Sequence, residues 1–272
     1  DGTKTIQNSR LMSRIMRSAF DLGCLIMQHA EDNELSQNGM MNDGVIATKL
    51  GLQGIPEVAE KIIIERDLSL LEDFNCRYHI SQISSSKSLE VIEKKKDQID
   101  FTTGVSINNL SLNENDIGDF RTFLKLSPPL RTEEDRQSLI RGINKDLIEV
   151  LVSDHKPEDE ESKRLTFSQA ATGASGIETL LPLSLELFHN NSIKLPKIIK
   201  LLTSNPAKVL KVDKGNLSIG NDADFCIVDI NKPWIVKKEK MISKSKNTCI
   251  EDKKLQGKVT NTFVKGVELF KL

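Results

Sequence analysis

The sequence lacks three features that would place it outside the ordinary cytosolic proteins. Its four cysteines are far apart and form no CxxC pair, which argues against a disulfide framework or a zinc ribbon; they are Cys24, Cys76, Cys226 and Cys249. No stretch approaches the roughly 20 apolar residues of a membrane-spanning helix. No leader pattern is present, and the opening at Asp1-Gly2 rather than at Met leaves room for residues upstream. These absences predict a cytoplasmic protein.

An excess of charge of either sign is also lacking. Lys and Arg number 38 against 39 Asp and Glu, which leaves a formal net charge of −1. No global field then recruits nucleic acid or an anionic membrane, so the expected partner is a small molecule or a protein surface, which could be a second copy of the chain. The sequence also has no Gly-rich phosphate loop, no GxSxG and no HExxH motif.

Short β-type runs alternate with helical patterns over about the first 210 residues. The predicted strands lie at 24–28, 78–83, 101–107 and 147–153. Helical patterns begin at Pro56, after Ser84-Ser85-Ser86 and before Leu139, and recur at 178–189 and 196–203. This alternation predicts an α/β fold in which helical crossovers join the strands of a parallel sheet.

The last sixty residues have a different pattern. Segments 224–230 and 257–270 are rich in strand-forming residues, with a predicted turn at Lys265-Gly266. We therefore divide the chain into an α/β region, residues 1–212, and part of a small β domain, residues 213–272. The charge-rich segment 237–246 is predicted to be a solvated surface segment.

Metal-binding types of side chain stand where two predicted strands end. His29 follows the first strand, and Asp154-His155 follows the fourth. In a βα barrel the active site forms at these strand ends, and His and Asp are common ligands of a catalytic metal. A second interpretation stays open from the residues alone, because a histidine at a strand end is more often a hydrogen-bonded structural residue.

Longer motifs resemble bacterial dihydroorotases of the amidohydrolase superfamily, in the family's order along the chain. They are 29–32 (HAED), 39–44 (GMMNDG), 50–60 (LGLQGIPEVAE), 66–68 (RDL), 127–131 (SPPLR), 134–136 (EDR), 153–157 (SDHKP), 176–182 (GIETLLP), 203–207 (TSNPA), 220–224 (GNDAD) and 243–248 (SKSKNT). The resemblance implies a partial (β/α)8 TIM barrel, made of its later strands and helices, with the C-terminal strands of a small β-sandwich. It also implies zinc-dependent cyclic amide hydrolysis, which interconverts N-carbamoyl-L-aspartate and dihydroorotate in pyrimidine biosynthesis.

The resemblance also carries site residues onto this chain. Asp1, His29 and Asp154 match metal ligands of the family, and the residue at the place of Asp154 also moves the proton. Substrate contacts of the family fall on Ser127, where asparagine is usual, on Glu158, where histidine is usual, and on Gly173. The family's H-x-H-x-R motif, with two more ligands and a substrate-binding arginine, would lie upstream of Asp1.

Several positions depart from the family pattern. A further ligand histidine is Gln82 here, and His79 is an imperfect substitute, because a displacement of three residues reverses its face of the strand. Two other usual histidines are Asn108 and Asn109. Gln and Asn are poor zinc ligands compared with imidazole, and Glu158 would bring a negative charge towards an anionic substrate. These departures predict an incomplete metal site.

Three hypotheses follow. The chain could be a dihydroorotase, with Asp154 as the acid–base group. It could be a non-catalytic dihydroorotase-like subunit that supports aspartate carbamoyltransferase, which the departures from the family pattern favour. It could also be a truncated product of a gene for either. We expect no hydrolysis by the chain as given, and we expect Asp1, His29, Gln82 and Asp154 to meet at one end of the barrel.

Overall fold

The computed structural model describes residues 4–272, so Asp1 lies outside the described residues. The strands in this range are β1 (Leu25–Gln28), β2 (Met41–Asn42), β3 (Gly54–Ile55), β4 (Arg77–Ile83), β5 (Thr102–Ser106), β6 (Val150–Val152), β7 (Phe225–Ile235), β8 (Lys254–Val264) and β9 (Val267–Lys271). The α-helices are α1 (Ser9–Leu22), α2 (Val45–Leu50), α3 (Glu57–Phe74), α4 (Ser86–Lys95), α5 (Ile107–Ser111), α6 (Glu133–Asn144), α7 (Glu160–Lys163), α8 (Ile177–His189), α9 (Leu195–Leu202) and α10 (Ser204–Leu210).

Four strands form a parallel sheet in the order β1-β4-β5-β6. Each strand pairs in parallel with the next, and an isolated parallel bridge between His155 and Ala174 extends the array beyond β6. Helices connect the strands, as the alternating pattern predicted. The arrangement is a partial (β/α)8 barrel, and the predicted fold class is confirmed.

The helices between these strands begin where the sequence signals them. Helix α3 follows Pro56 and buries Ala59, Ile63 and Ile64. Of these, Ile63 and Ile64 pack in the same hydrophobic core as the sheet residues. Helix α4 is capped by Ser85, whose side chain accepts a hydrogen bond from the backbone of Ser88. Helix α6 begins with a capping box between Thr132 and Asp135. Capping and apolar spacing therefore place these helices against the sheet.

The C-terminal strands form a separate antiparallel sheet in the order β7-β8-β9. The turn between β8 and β9 contains Lys265 and Gly266, both at positive φ, as expected for the predicted turn. Helix α8 of the barrel contacts β8. The domain boundary at residue 212 stays a prediction.

The structure differs from the sequence-based expectation at several elements, of which three bear on the packing of the chain. Strand β6 is shorter than predicted, because Leu147 still closes the last turn of α6 through a hydrogen bond from its N–H to the carbonyl of Gly142. Helix α1 has no counterpart among the predicted elements. Segment 237–246 is not simply solvated: Met241 is buried, and the Lys246 ammonium donates to the carbonyls of Met241 and Ser243. No helix within residues 4–272 is both long and apolar enough to cross a membrane.

Candidate active site

One cavity of about 410 Å³ opens at the carboxyl ends of the parallel strands. His29 follows β1, Gln82 stands near the end of β4, and Asp154 follows β6, so the parallel sheet delivers all three to the same edge. The cavity is lined by His29, Glu31, Ser36, Gly39, Met40, Ile55, Ser81, Gln82, Lys125, Leu126, Ser127, Asp154, His155, Lys156 and Thr172. The structure therefore brings together five of the residues singled out from the sequence, which are His29, Gln82, Ser127, Asp154 and His155.

Asp154 is joined directly to Gln82 in this cavity. The Gln82 amide Nε2 donates to the Asp154 carboxylate over 3.1 Å. Burial raises the pKa of the Asp154 carboxyl, and the hydrogen bond from Gln82 and the nearby His29 and Lys156 oppose that rise. The Gln82 carbonyl oxygen is buried and has no hydrogen-bond partner among the described residues. Gln82 thus hydrogen-bonds to the Asp154 carboxylate through its amide nitrogen, while its own side-chain oxygen has no donor within residues 4–272.

His29 contacts other polar groups of the cavity. Its Nε2 lies 3.2 Å from the Ser127 hydroxyl and 3.8 Å from the Glu31 carboxylate. The backbone carbonyl of His29 accepts a hydrogen bond from the Thr5 hydroxyl, which fixes the chain just after β1. The imidazole therefore has its Nε2 directed into the cavity, where it is open to a ligand that displaces the serine.

His155 has a structural role, which was the second interpretation that the sequence left open. Its Nδ1 accepts hydrogen bonds from the backbone N–H groups of Gly176 and Ile177, over 3.1 and 3.4 Å. These N–H groups lie at the start of α8, where no preceding turn supplies an acceptor. An acceptor Nδ1 is unprotonated, so His155 caps the helix while its ring lines the cavity.

His79 does not approach the cavity and does not replace Gln82. Its Nδ1 lies 2.7 Å from the Thr102 hydroxyl of β5, deep in the sheet. Burial, with a smaller effect of Lys96, lowers the pKa of His79 from 6.5 to about 4. The register of β4 against β5 shifts between Ile80 and Ile83. Asn108 and Asn109 are buried too, and the Asn109 amide donates to the carbonyl of Pro129.

The two remaining family positions lie on the loop after β6. Glu158 does not line the cavity; its backbone N–H donates to the side chain of Asn247, and it faces another cleft. Gly173 follows Thr172 at the cavity wall, and its carbonyl accepts from Asn247 and from the Lys163 ammonium. A side chain at 173 would meet the Lys156 carbonyl at 2.7 Å, at a φ of +136°. The expected repulsion by Glu158 is therefore not directed into this cavity.

The described residues do not by themselves fit a catalytic zinc ion. Such sites use three protein ligands and keep a position open. Within residues 4–272, no group of three or more His, Cys, Asp and Glu side chains could hold a metal ion. His29 and Asp154 supply two donors, and Gln82 occupies the place expected of a third. Asp1, the other predicted ligand, lies outside the described residues.

A buried polar network supports the end of β4. The Glu60 carboxylate accepts from the backbone N–H groups of Ser84 and Ser85, and Arg131 donates to the Ser84 hydroxyl. Arg131 also donates to the side-chain oxygen of Asn42. This network fixes the chain two residues beyond Gln82.

Sequence reasoning missed Lys125, which is buried at the cavity. The only available signal was its position two residues before Ser127 in the SPPLR motif. Burial of a lysine depends on tertiary packing, which the sequence pattern did not reveal.

Comparisons with known proteins assign the family. A sequence model described as the amidohydrolase family matches residues 3–269. A dihydroorotase of Ehrlichia canis is 40% identical over 98% of this chain, and one of Ehrlichia chaffeensis is 39% identical over 100%. The matches span 60% and 61% of those proteins, so this chain covers about three-fifths of its relatives' length.

Solved structures agree on the fold. The L-hydantoinase (dihydropyrimidinase) of Arthrobacter aurescens superposes with a TM-score of 0.85 at 24% identity, over 97% of this chain and 61% of that one. The dihydropyrimidinase of Brevibacillus agri gives 0.84 at 19% identity, over 97% and 60%. At these identities the likeness shows the fold alone. With the family match and the dihydroorotase relatives, it establishes that the chain belongs to the amidohydrolase family, as a dihydroorotase-family protein.

Proposed function

We propose that the cavity at the barrel end is the part of a dihydroorotase site that binds dihydroorotate and N-carbamoyl-L-aspartate, whose interconversion is a step of pyrimidine biosynthesis. The observation that carries the proposal is the meeting of His29, Ser127 and Asp154 in one cavity at the strand ends. Asp154 acts as the acid–base group, which takes a proton from the attacking water and returns it to the leaving nitrogen. The Ser127 hydroxyl and the backbone beside Gly173 contact the ring.

We further propose that this chain alone does not turn over dihydroorotate. The Gln82 amide donates to one carboxylate oxygen of Asp154, and His29 and Asp154 as the only two protein ligands among the described residues would leave a metal mostly to water. A water on such a metal is neither positioned nor activated. The family is metal-dependent, so activity would need ligands that residues 4–272 do not provide.

The test is hydrolysis of dihydroorotate by the purified chain with zinc, beside a fusion that carries the matching N-terminal part of a dihydroorotase relative. We expect turnover only from the fusion, and we expect Asp154→Asn to abolish it while Asp159→Asn, a conservative change at the exposed N-cap of α7, leaves it intact. Turnover by the unextended chain above the background of zinc alone would refute the proposed inactivity. A fusion that does not hydrolyse dihydroorotate would instead be evidence against the proposed catalytic site.

A measurement of zinc content distinguishes the effect of Gln82 on metal binding from the effect of the N-terminal part that the fusion adds. We expect less than about 0.1 zinc per purified chain and a rise in affinity of about tenfold or more for Gln82→His, which adds an imidazole donor beside His29 and Asp154. Gln53→His, on the surface near α2, is the matched control and should bind no additional zinc. Equal affinity in the original chain and Gln82→His would show that position 82 is not at a metal site.

The second candidate function is a non-catalytic subunit that supports aspartate carbamoyltransferase. The Gln82–Asp154 hydrogen bond favours this function, because the Asp154 carboxylate then has an amide donor as its partner and no metal is required. Sedimentation of the chain with aspartate carbamoyltransferase would test it: a complex that survives Asp154→Asn supports the subunit role, and separate boundaries at micromolar concentration exclude it.

A further inference from the structure

Two lysines line the cavity: Lys156, which is exposed, and Lys125, which is buried although the hydrogen-bonding capacity of its ammonium is mostly unused. Lys125 is 8% exposed and lines the cavity, and its ammonium makes one hydrogen bond, to the carbonyl of Ser168 over 2.9 Å. The same ammonium lies 5.9 Å from the centre of the Phe167 ring. None of the ion pairs within residues 4–272 includes Lys125. A lysine ammonium has three N–H donors, so two of them have no acceptor in the described chain.

A second buried lysine, Lys163, has a structural role that can be compared with the environment of Lys125. Lys163 is 1% exposed, and its ammonium donates to two backbone carbonyls, those of Ala171 and Gly173. These hydrogen bonds fix the backbone of the loop after β6 where it reaches the cavity. Its charge also adds to the positive potential around Lys125, since the two ammonium groups interact. Lys125 differs because it has fewer carbonyl partners and borders the cavity.

The acidic groups of the cavity are already engaged. Asp154 accepts from Gln82, and Glu31 lies 3.8 Å from His29. A buried cation without a paired anion is costly, and burial lowers the pKa of Lys125 accordingly. An anionic ligand would supply both the missing charge and the missing acceptors. Ser127, two residues further along, lines the same cavity and can contact that ligand beside the lysine.

We propose that Lys125 binds the carboxylate of the ligand, and so makes the cavity selective for anionic cyclic ureides over neutral ones. This inference rests on the proposed function, because it assigns a substrate group to the same cavity. Lys125 is then a specificity-determining residue. It binds the carboxylate of the substrate, which does not react, whereas Asp154 lies at the ring amide, which is hydrolysed.

The experiment compares two probes by calorimetry or ligand-observed NMR on the full chain. Dihydroorotate carries the carboxylate, and dihydrouracil is the same ring without it. We expect Lys125→Met to weaken dihydroorotate about tenfold or more, which corresponds to about 1.4 kcal/mol, and to leave dihydrouracil within about twofold. Lys125→Arg should keep the preference for the anion. Lys200→Met removes the same charge from an exposed site on α9 and should change neither affinity.

Lys125→Gln covers the case in which the methionine variant fails to fold, because its amide can still donate to the Ser168 carbonyl. It should lose the preference for the anion as Lys125→Met does. Equal dihydroorotate affinity in the original chain and Lys125→Gln would overturn the inference and leave the proposed function standing. Binding of succinate that depends on Lys125, without binding of either ring, would overturn the selectivity for cyclic ureides and the proposed substrate, and would leave Lys125 only as a carboxylate-binding residue. No carboxylate binding by the original chain at millimolar concentration would overturn the inference.

Discussion

The parallel barrel sheet and the C-terminal antiparallel sheet differ in how their strands are covered. In β5 four of the five residues are buried, whereas all five residues of β9 are exposed. Helices pack on the barrel sheet, which is the usual condition of parallel strands. The antiparallel sheet exposes apolar side chains, among them Val267 and Leu269. The difference shows that strand-forming residues alone do not measure how much a strand contributes to stability.

The largest expected effect is the loss of a core side chain from the barrel sheet. Ile80 in β4 is fully buried and belongs to the hydrophobic core. Ile80→Ala removes apolar contacts and leaves a cavity, so we expect the free energy of unfolding to fall by about 3 kcal/mol. Urea denaturation at one pH measures it. A loss below about 1 kcal/mol would mean that this part of the barrel is not closely packed.

The barrel sheet should also carry a pH dependence that comes from a buried histidine, whereas β7, β8 and β9 contain no histidine. The folded-state pKa of His79, about 4, lies below the usual 6.5, so the neutral form is favoured in the fold. The unfolded chain therefore takes up a proton first as the pH falls. The stabilisation is complete above about pH 6.5 and is lost towards pH 4, by up to about 3 kcal/mol.

Denaturation curves between pH 4 and 7.5 test this dependence. His79→Gln should flatten the change in unfolding free energy over that window. His189→Gln, a change at the end of α8, should keep it. A His79→Gln curve as steep as that of the original chain would show that another group causes the loss.

A smaller effect is expected where the two regions meet. Asn247 is buried, donates to the Gly173 carbonyl over 3.0 Å, and accepts from the Glu158 N–H and the Ser175 hydroxyl. Asn247→Ala leaves these groups without their partner, and we expect a loss of about 2 kcal/mol and faster proteolysis of the loop after β6. Asn221→Ala, in an exposed turn, should do neither. Unchanged proteolysis would show that the other contacts of the loop, those of Lys163 and Ser245 among them, hold it without Asn247.

The local sequence pattern was sufficient to predict the main strands of the barrel and several of its helices. The four predicted strands of the barrel were found because each is an apolar run bounded by turns, and Ser85 caps α4 within the predicted segment Ser84-Ser85-Ser86. Helix α1 was missed although Asn8 caps its start and Gly23 its end. The convergence of His29 and Asp154 followed from parallel topology.

Tertiary packing decided the rest of the site. The place of Glu158 depends on the course of a loop that Asn247 holds from a distant segment, and no local pattern encodes that contact. The burial of Lys125 depends on Phe167 and Ser168, which lie forty residues further along the chain. Side chains whose role comes from such distant contacts cannot be read from a strand-end pattern.

The smallest expected effect belongs to the C-terminal sheet. Leu269 in β9 is 66% exposed, so most of its side chain is hydrated in the folded chain as in the unfolded one. Truncation by Leu269→Ala then removes little transfer free energy and leaves no cavity, and we expect a change within about 0.5 kcal/mol. The measurement is the urea denaturation used for Ile80→Ala, at the same pH. A loss above about 1 kcal/mol would mean that this face is covered in solution, and the contrast between the two sheets would then disappear.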